Sequence, residues 1–278
     1  MALRVSSAHL HGGLRLEYAE QGDPDGLPVV FLHGWPDSRR SFEAVLDELP
    51  GWIHAFALSQ RGFGRSDRPD SGYEVDDLAG DVVAFIDAVG LGAAVLVGHS
   101  MGSYVAQRVA LDHPDRVVAL VLVGSFTSLR GKPVADELSE LLPTLEDPLD
   151  PAFVLEFQQS TLAQPVSEGY VEMIVAESLE APAHVWRATM TPLLTDDHSA
   201  RLATLSCPTL LISGDEDALI PVDDQDRLAA SIPGARLARY AGAGHSPNWE
   251  EPARVAAEIA GFLAELPSSL PPSEERRR

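Results

Sequence analysis

AAVLVGHSMGSYVAQRVA, residues 93–110, is the stretch on which the fold turns. Its apolar opening, residues 93–97, reads as a short strand buried on both faces. Met101, Val105, Arg108 and Val109 then recur at helical spacing, so a helix starts directly after Ser100. Strand and helix are joined by almost no loop. So sharp a turn strains its central residue, and a side chain two positions away on either side would collide, which accounts for Gly98 and Gly102. The pattern G-x-S-x-G in this setting is a nucleophile elbow. It lifts a serine hydroxyl to the end of a sheet and points a helix N-terminus at negative charge formed beside it.

Outward from this segment, short apolar runs alternate with amphipathic stretches. Strands are expected at 14–18, 29–32, 53–58, 94–97, 117–123, 209–212 and 237–240. Phe42, Val45, Leu46 and Leu49 share one helical face; Leu78, Val82, Phe85, Ile86 and Val89 share another; so do Val255, Ile259, Phe262 and Leu263. The alternation implies an α/β fold: a mostly parallel sheet flanked by helices, with ligands at the carboxyl ends of its strands. Between 126 and 205 it breaks. Helical patterns follow one another there without a strand, punctuated by seven prolines from Pro133 to Pro192. The expected organisation is a core of residues 1–125 and 206–266, a helical insertion of residues 126–205 after the sixth strand, and a disordered tail, 267–278.

At 278 residues, 45% hydrophobic and 22% charged, the chain can bury a sizeable core. Its net charge of −22 opposes binding to nucleic acid or to an anionic membrane. The acidic residues fall mostly on expected helix surfaces and so read as solvated. The single cysteine, Cys207, cannot form an internal disulfide and reads as a small core residue beside Pro208. There is no signal-peptide-like apolar region at the start and no run of membrane-spanning length, which gives a cytoplasmic reading. No metal-ligand spacing and no intact G-x-G-x-x-G occurs, so neither a metal nor an organic cofactor is expected.

A serine hydroxyl attacks only when a base takes its proton. His245, in AGAGHSPNW, stands directly after the last expected strand and before the last helix, with Gly242 and Gly244 letting its loop reach inward. His33 reads as a residue that shapes its turn, and His113 as one that caps a helix. The base needs a carboxylate partner, and TLLISGDEDALIP offers Asp215, Glu216 and Asp217 at the end of a strand. The order serine, acid, histidine is the one that accompanies this elbow. Two backbone N–H groups should receive an oxyanion: that of Met101, opening the helix, and that of Trp35, in HGWPDS after the strand at 29–32. Pro36 cannot donate.

With these parts in place the chain resembles the α/β-hydrolase superfamily, in its lidded, esterase-like branch, from HGWPDS through SQRGFGRSDRP, GHSMGS and SGDEDALIP to GAGHSPNWEEP. The resemblance selects Asp217 as the acid, with Asp215 second. It implies that residues 126–205 form a cap whose helices line the pocket; Trp186, Met190, Phe157 and Trp249 are the candidate walls. Epoxide hydrolases and haloalkane dehalogenases carry aspartate at the elbow where this chain has Ser100. Carbon–carbon hydrolases tend to carry asparagine where it has His99, and HGGPG of the proline iminopeptidases is absent. The implied activity is hydrolysis of a small hydrophobic ester or lactone through an acyl-enzyme. The alternatives are carbon–carbon hydrolysis, acyl transfer or perhydrolysis on the same residues, and a non-catalytic small-molecule receptor.

Overall fold

A computed structural model describes residues 3–266. The expected tail, 267–278, lies outside the described residues. Eight strands form one sheet: β1 (Arg4–His9), β2 (Arg15–Gln21), β3 (Leu27–Leu32), β4 (Ile53–Leu58), β5 (Ala94–His99), β6 (Val117–Val123), β7 (Thr209–Gly214) and β8 (Arg236–Tyr240). Their order is β1-β2-β4-β3-β5-β6-β7-β8, with β1–β2 and β2–β4 antiparallel and every later pair parallel. The seven expected strands are all present. The additional strand, β1, reads RVSSAH and buries only Ala8, so it has no apolar alternation by which the sequence could announce it.

The central strands are buried along their length because both faces are covered. Alternate residues feed two layers. Val29, Phe31, Val95 and Val97 pack with α1 (Glu43–Glu48) and with Val255, Ile259 and Phe262 of the last helix. Val30, Leu32 and Leu96 pack instead with Leu78, Val82 and Phe85 of α2 (Val75–Ala88) and Tyr104, Val105 and Val109 of α3 (Met101–Asp112). Cys207 departs from expectation: it is only half-buried, at the margin of this second layer.

Between β6 and β7 the chain forms α4 (Pro133–Leu141), α5 (Pro151–Ser160), α6 (Glu168–Glu180) and α7 (Ala183–Thr195), and no strand. Pro133 and Pro151 occupy first-turn positions, where the missing N–H costs nothing, whereas Pro192 lies inside α7. The far end of this insertion is tied to α3: Asp196 accepts from Tyr104 Oη at 2.8 Å and from Arg108 Nη2 at 2.8 and 2.7 Å. After β7 come α8 (Val222–Ser231), and after β8 α9 (Pro247–Glu250) and α10 (Pro252–Ala264). No helix among the described residues is long and apolar enough to cross a membrane.

Candidate active site

The loops that follow β3, β5, β7 and β8 converge on Ser100. Its φ of 49° makes it the one non-glycine residue with positive φ among the described residues. The flanking glycines are required by contact. A Cβ on Gly98 would sit 2.4 Å from the Gly102 carbonyl oxygen, and one on Gly102 would sit 2.2 Å from that of Leu32. The elbow is therefore wedged between β3 and α3, and its backbone is pinned by the Ser100 N–H donating to the Val123 carbonyl at 2.9 Å.

His245 reaches this point from the loop after β8, and Asp217 from the turn after β7. His245 Nε2 lies 2.9 Å from Ser100 Oγ, and Nδ1 lies 2.9 Å from Asp217 Oδ2. Asp217 can only accept when ionised, so Nδ1 carries the proton and Nε2 offers a lone pair to the hydroxyl. Burial works to raise the Asp217 carboxyl. The field and hydrogen bond of His245, with the N–H groups of Ile220 and Leu219, outweigh it and hold the group below the ordinary carboxylate range. Asp217 is thus kept as an anion beside the imidazole. Asp215 and Glu216 are exposed; Asp215 turns the other way and accepts from the Gly242 N–H at 2.6 Å.

The N–H groups of Trp35 and Met101 have no acceptor among the described residues. The turn holding Trp35 abuts Ser100: a Cβ on Gly34 would lie 3.3 Å from Ser100 Cβ. His33 shapes that turn. Its Nδ1 faces the Gly34 carbonyl at 2.7 Å while Nε2 accepts from the Gln60 N–H at 3.0 Å, and burial pushes its pKa down to about 4.

A cavity of about 170 Å³ opens on Ser100. This is small against the roughly 300–1,000 Å³ of pockets for drug-sized ligands. Val134, Leu138 and Leu141 of α4, Met190 and Leu193 of α7, and Leu219 and Ile220 after β7 supply apolar walls, with Trp35, Phe157 and Trp249. Trp186 does not line it, which corrects the sequence expectation. That ring is fully buried behind the cavity wall, edge-on to Trp35 with centroids 4.9 Å apart, and its Nε1 donates to the Ser178 carbonyl. Its neighbours consume its whole surface, leaving none for a ligand.

Two carboxylates escaped the sequence reading. Glu250 bridges the His245 loop to the insertion: Oε2 accepts from the Gly244 N–H at 2.7 Å, and Oε1 from the N–H groups of Ala163 at 2.5 Å and Gln164 at 2.9 Å. The His245 N–H itself donates to the Thr161 carbonyl at 2.8 Å. Gly244 is glycine because a Cβ would lie 2.7 Å from Ala163 N and Thr161 O. The second, Asp37, is fully buried in the cavity wall, and burial pushes its pKa up to about 7 against hydrogen bonds from Ser41 and Gln158 and the charge of His245.

Asp37 therefore holds its proton in the folded chain well above the 3.8 of an unperturbed aspartate. Its stabilising contribution is complete below about pH 4 and is lost as pH rises toward 7. Asp37→Asn removes this linkage. Thermal melts at pH 5 and pH 8 should show the wild type losing ground to the variant at the higher pH; a difference independent of pH would exclude the assignment.

A profile of the alpha/beta hydrolase family matches residues 29–258. The chain belongs to that family. Among alpha/beta hydrolase relatives, a non-heme chloroperoxidase of Streptomyces lividans is 30% identical, over 90% of this chain and 96% of its own. The 2-hydroxy-6-oxononadienedioate/2-hydroxy-6-oxononatrienedioate hydrolase of Burkholderia vietnamiensis is 29% identical, over 90% of this chain and 91% of its own. Among solved structures, an esterase from a Rhodococcus species superposes with a TM-score of 0.85 at 28% identity, covering 95% of this chain and 99% of that one. The alpha/beta hydrolase fold and a hydrolase relationship are thus common ground, while the named activities of these proteins diverge.

Proposed function

We propose that this alpha/beta hydrolase cleaves small, uncharged carboxylic esters or lactones through an acyl-enzyme formed on Ser100. The observation that carries the reading is the unbroken line Asp217–His245–Ser100, with 2.9 Å at each step, opening on an apolar cavity. Ser100 Oγ attacks the carbonyl carbon while its proton passes to His245 Nε2. Asp217 holds Nδ1–H and balances the imidazolium. The N–H groups of Trp35 and Met101 receive the oxyanion, aided by the N-terminus of α3. Nε2 then gives its proton to the departing alcohol oxygen as the C–O bond breaks. A water yields its proton to Nε2 as it attacks the acyl carbon; the acyl–Oγ bond then breaks, Nε2 returns the proton to Ser100 Oγ and the carboxylic acid leaves. These steps call on no metal and no organic cofactor.

The cavity also bears on the choice among the activities named for relatives. Its lining includes Asp37 and Glu137 but neither lysine nor arginine. A dioate brings two carboxylates and would find no cation there to hold either one. An uncharged ester meets no such penalty.

The test is a panel of p-nitrophenyl esters from acetate to octanoate with simple lactones and a hemisuccinate ester, run with and without hydrogen peroxide as a competing nucleophile. Turnover should favour short uncharged acyl groups, and the hemisuccinate should be the poorest substrate. Asp217→Asn should lower kcat by about 10⁴-fold, since the imidazole loses its tautomer. Asp215→Asn should stay within about tenfold, a barrier change of roughly 1.4 kcal/mol. Inactivity on every ester and lactone would reject the reading, and the reverse ranking of the two variants would reassign the acid.

A further inference from the structure

Asp37 and His99 line the cavity beside Ser100, and the hydrolytic steps above use neither. Asp37 is 1% exposed; its Oδ1 accepts from Gln158 Nε2 and its Oδ2 from Ser41 Oγ, both at 3.1 Å. His99 is 3% exposed, and its Nε2 faces the carbonyl oxygen of His245 at 3.1 Å. A carbonyl can only accept, so Nε2 carries the hydrogen and Nδ1 is a bare lone pair. That lone pair is buried and has no partner among the described residues. Asp37 Oδ2 lies 4.0 Å from it. The gap is too long for a hydrogen bond, yet one oxygen can span it with bonds of about 2.8 Å to each side.

The oxygen that fits must donate to Nδ1 and also bond a carboxyl group. A hydroxyl does both, because it carries one hydrogen and two lone pairs. A carboxylate has no hydrogen for Nδ1 and would face a second acid. We propose that Asp37 and His99 form a subsite beside Ser100 that takes a neutral hydroxyl of the substrate, so that preferred esters carry a hydroxyl close to the scissile carbonyl. This rests on the ester-hydrolase reading of Ser100. Burial favours the uncharged form of both groups, holding Asp37 up to about 7 and His99 down to about 3, which suits a neutral guest better than an ammonium ion.

The experiment compares methyl butanoate, methyl 2-hydroxybutanoate, methyl 3-hydroxybutanoate and methyl 3-aminobutanoate with the wild type and with Asp37→Ala. Each kcat/KM is divided by the ester's rate with hydroxide, which removes intrinsic reactivity. At least one hydroxy ester should exceed the butanoate by about tenfold in the wild type, the scale of one buried hydrogen bond. In Asp37→Ala that advantage should collapse toward one. If Asp37→Ala does not fold, the wild-type ranking alone decides. Equal normalised rates across the panel, preference for the amino ester, or an advantage that survives in Asp37→Ala would each overturn the subsite while leaving the hydrolase reading intact. Inactivity on all four esters together with the p-nitrophenyl panel would remove both.

Discussion

Replacing Ser100 with alanine should reduce ester turnover by about 10⁴- to 10⁶-fold, the range over which loss of such a nucleophile leaves only oxyanion binding and proximity. The measurement is kcat on the best p-nitrophenyl ester, with far-UV circular dichroism to verify folding. The same position predicts a stability effect of opposite sense. Ser100 sits at φ 49° and ψ −116°, a region in which a Cβ is strained by about 1–3 kcal/mol. Ser100→Gly removes the Cβ and should melt above Ser100→Ala while being equally inactive. A Ser100→Ala enzyme that kept wild-type rates would end the mechanistic reading, and a glycine variant melting below the alanine variant would contradict the strain.

The second large effect concerns Gly102. A Cβ there would press within 2.2 Å of the Leu32 carbonyl oxygen and 2.6 Å of that of His33, both backbone atoms at the end of a central strand. Neither can turn aside as a side-chain tip would, so α3 must lift from β3. Gly102→Ala should therefore cost about 3 kcal/mol or more in chemical denaturation, at the upper end of overpacking effects. Activity should fall as well, because the displaced turn carries Trp35. Gly80 is the matched control. It lies in α2 with nothing near its added Cβ, so Gly80→Ala should stabilise by about 0.5–1 kcal/mol through helix propensity. Similar outcomes for the two substitutions would show that contact geometry does not govern the elbow.

The elbow and His245 are legible in the sequence because their constraints are local. Two glycines, a serine and a strand-to-helix switch lie within a few residues, and His245 stands in a glycine-bearing loop at the right end of a strand. Asp217 and Asp215 could be separated only by resemblance. They stand two residues apart in one turn, and only the folded chain has one facing His245 Nδ1 and the other the Gly242 N–H. The edge strand β1 was invisible because it buries almost nothing. Trp186 reads as a wall because a tryptophan in an inserted helix looks alike whether it faces a ligand or, as here, another indole. Asp37 and Glu250 were missed for a different reason. Beside near partners in Ser41 and Gly244, each also binds one far off in the chain, Gln158 at a separation of 121 residues and Ala163 at 87, and pairing over such distances leaves no local pattern.

The carboxylate of Glu250 also limits how this scaffold can be altered. It fastens residues 163–164 to the loop that presents His245, and Thr161 holds the amide of His245 itself. The insertion is therefore part of the frame that holds His245, and it is not an interchangeable module. Transplanting a foreign insertion would change the rate constant together with the choice of substrate unless the donor's backbone reproduced those bonds. Diversification by point changes on the inner faces of α4 and α7, which take no part in that fastening, is the route the architecture leaves open.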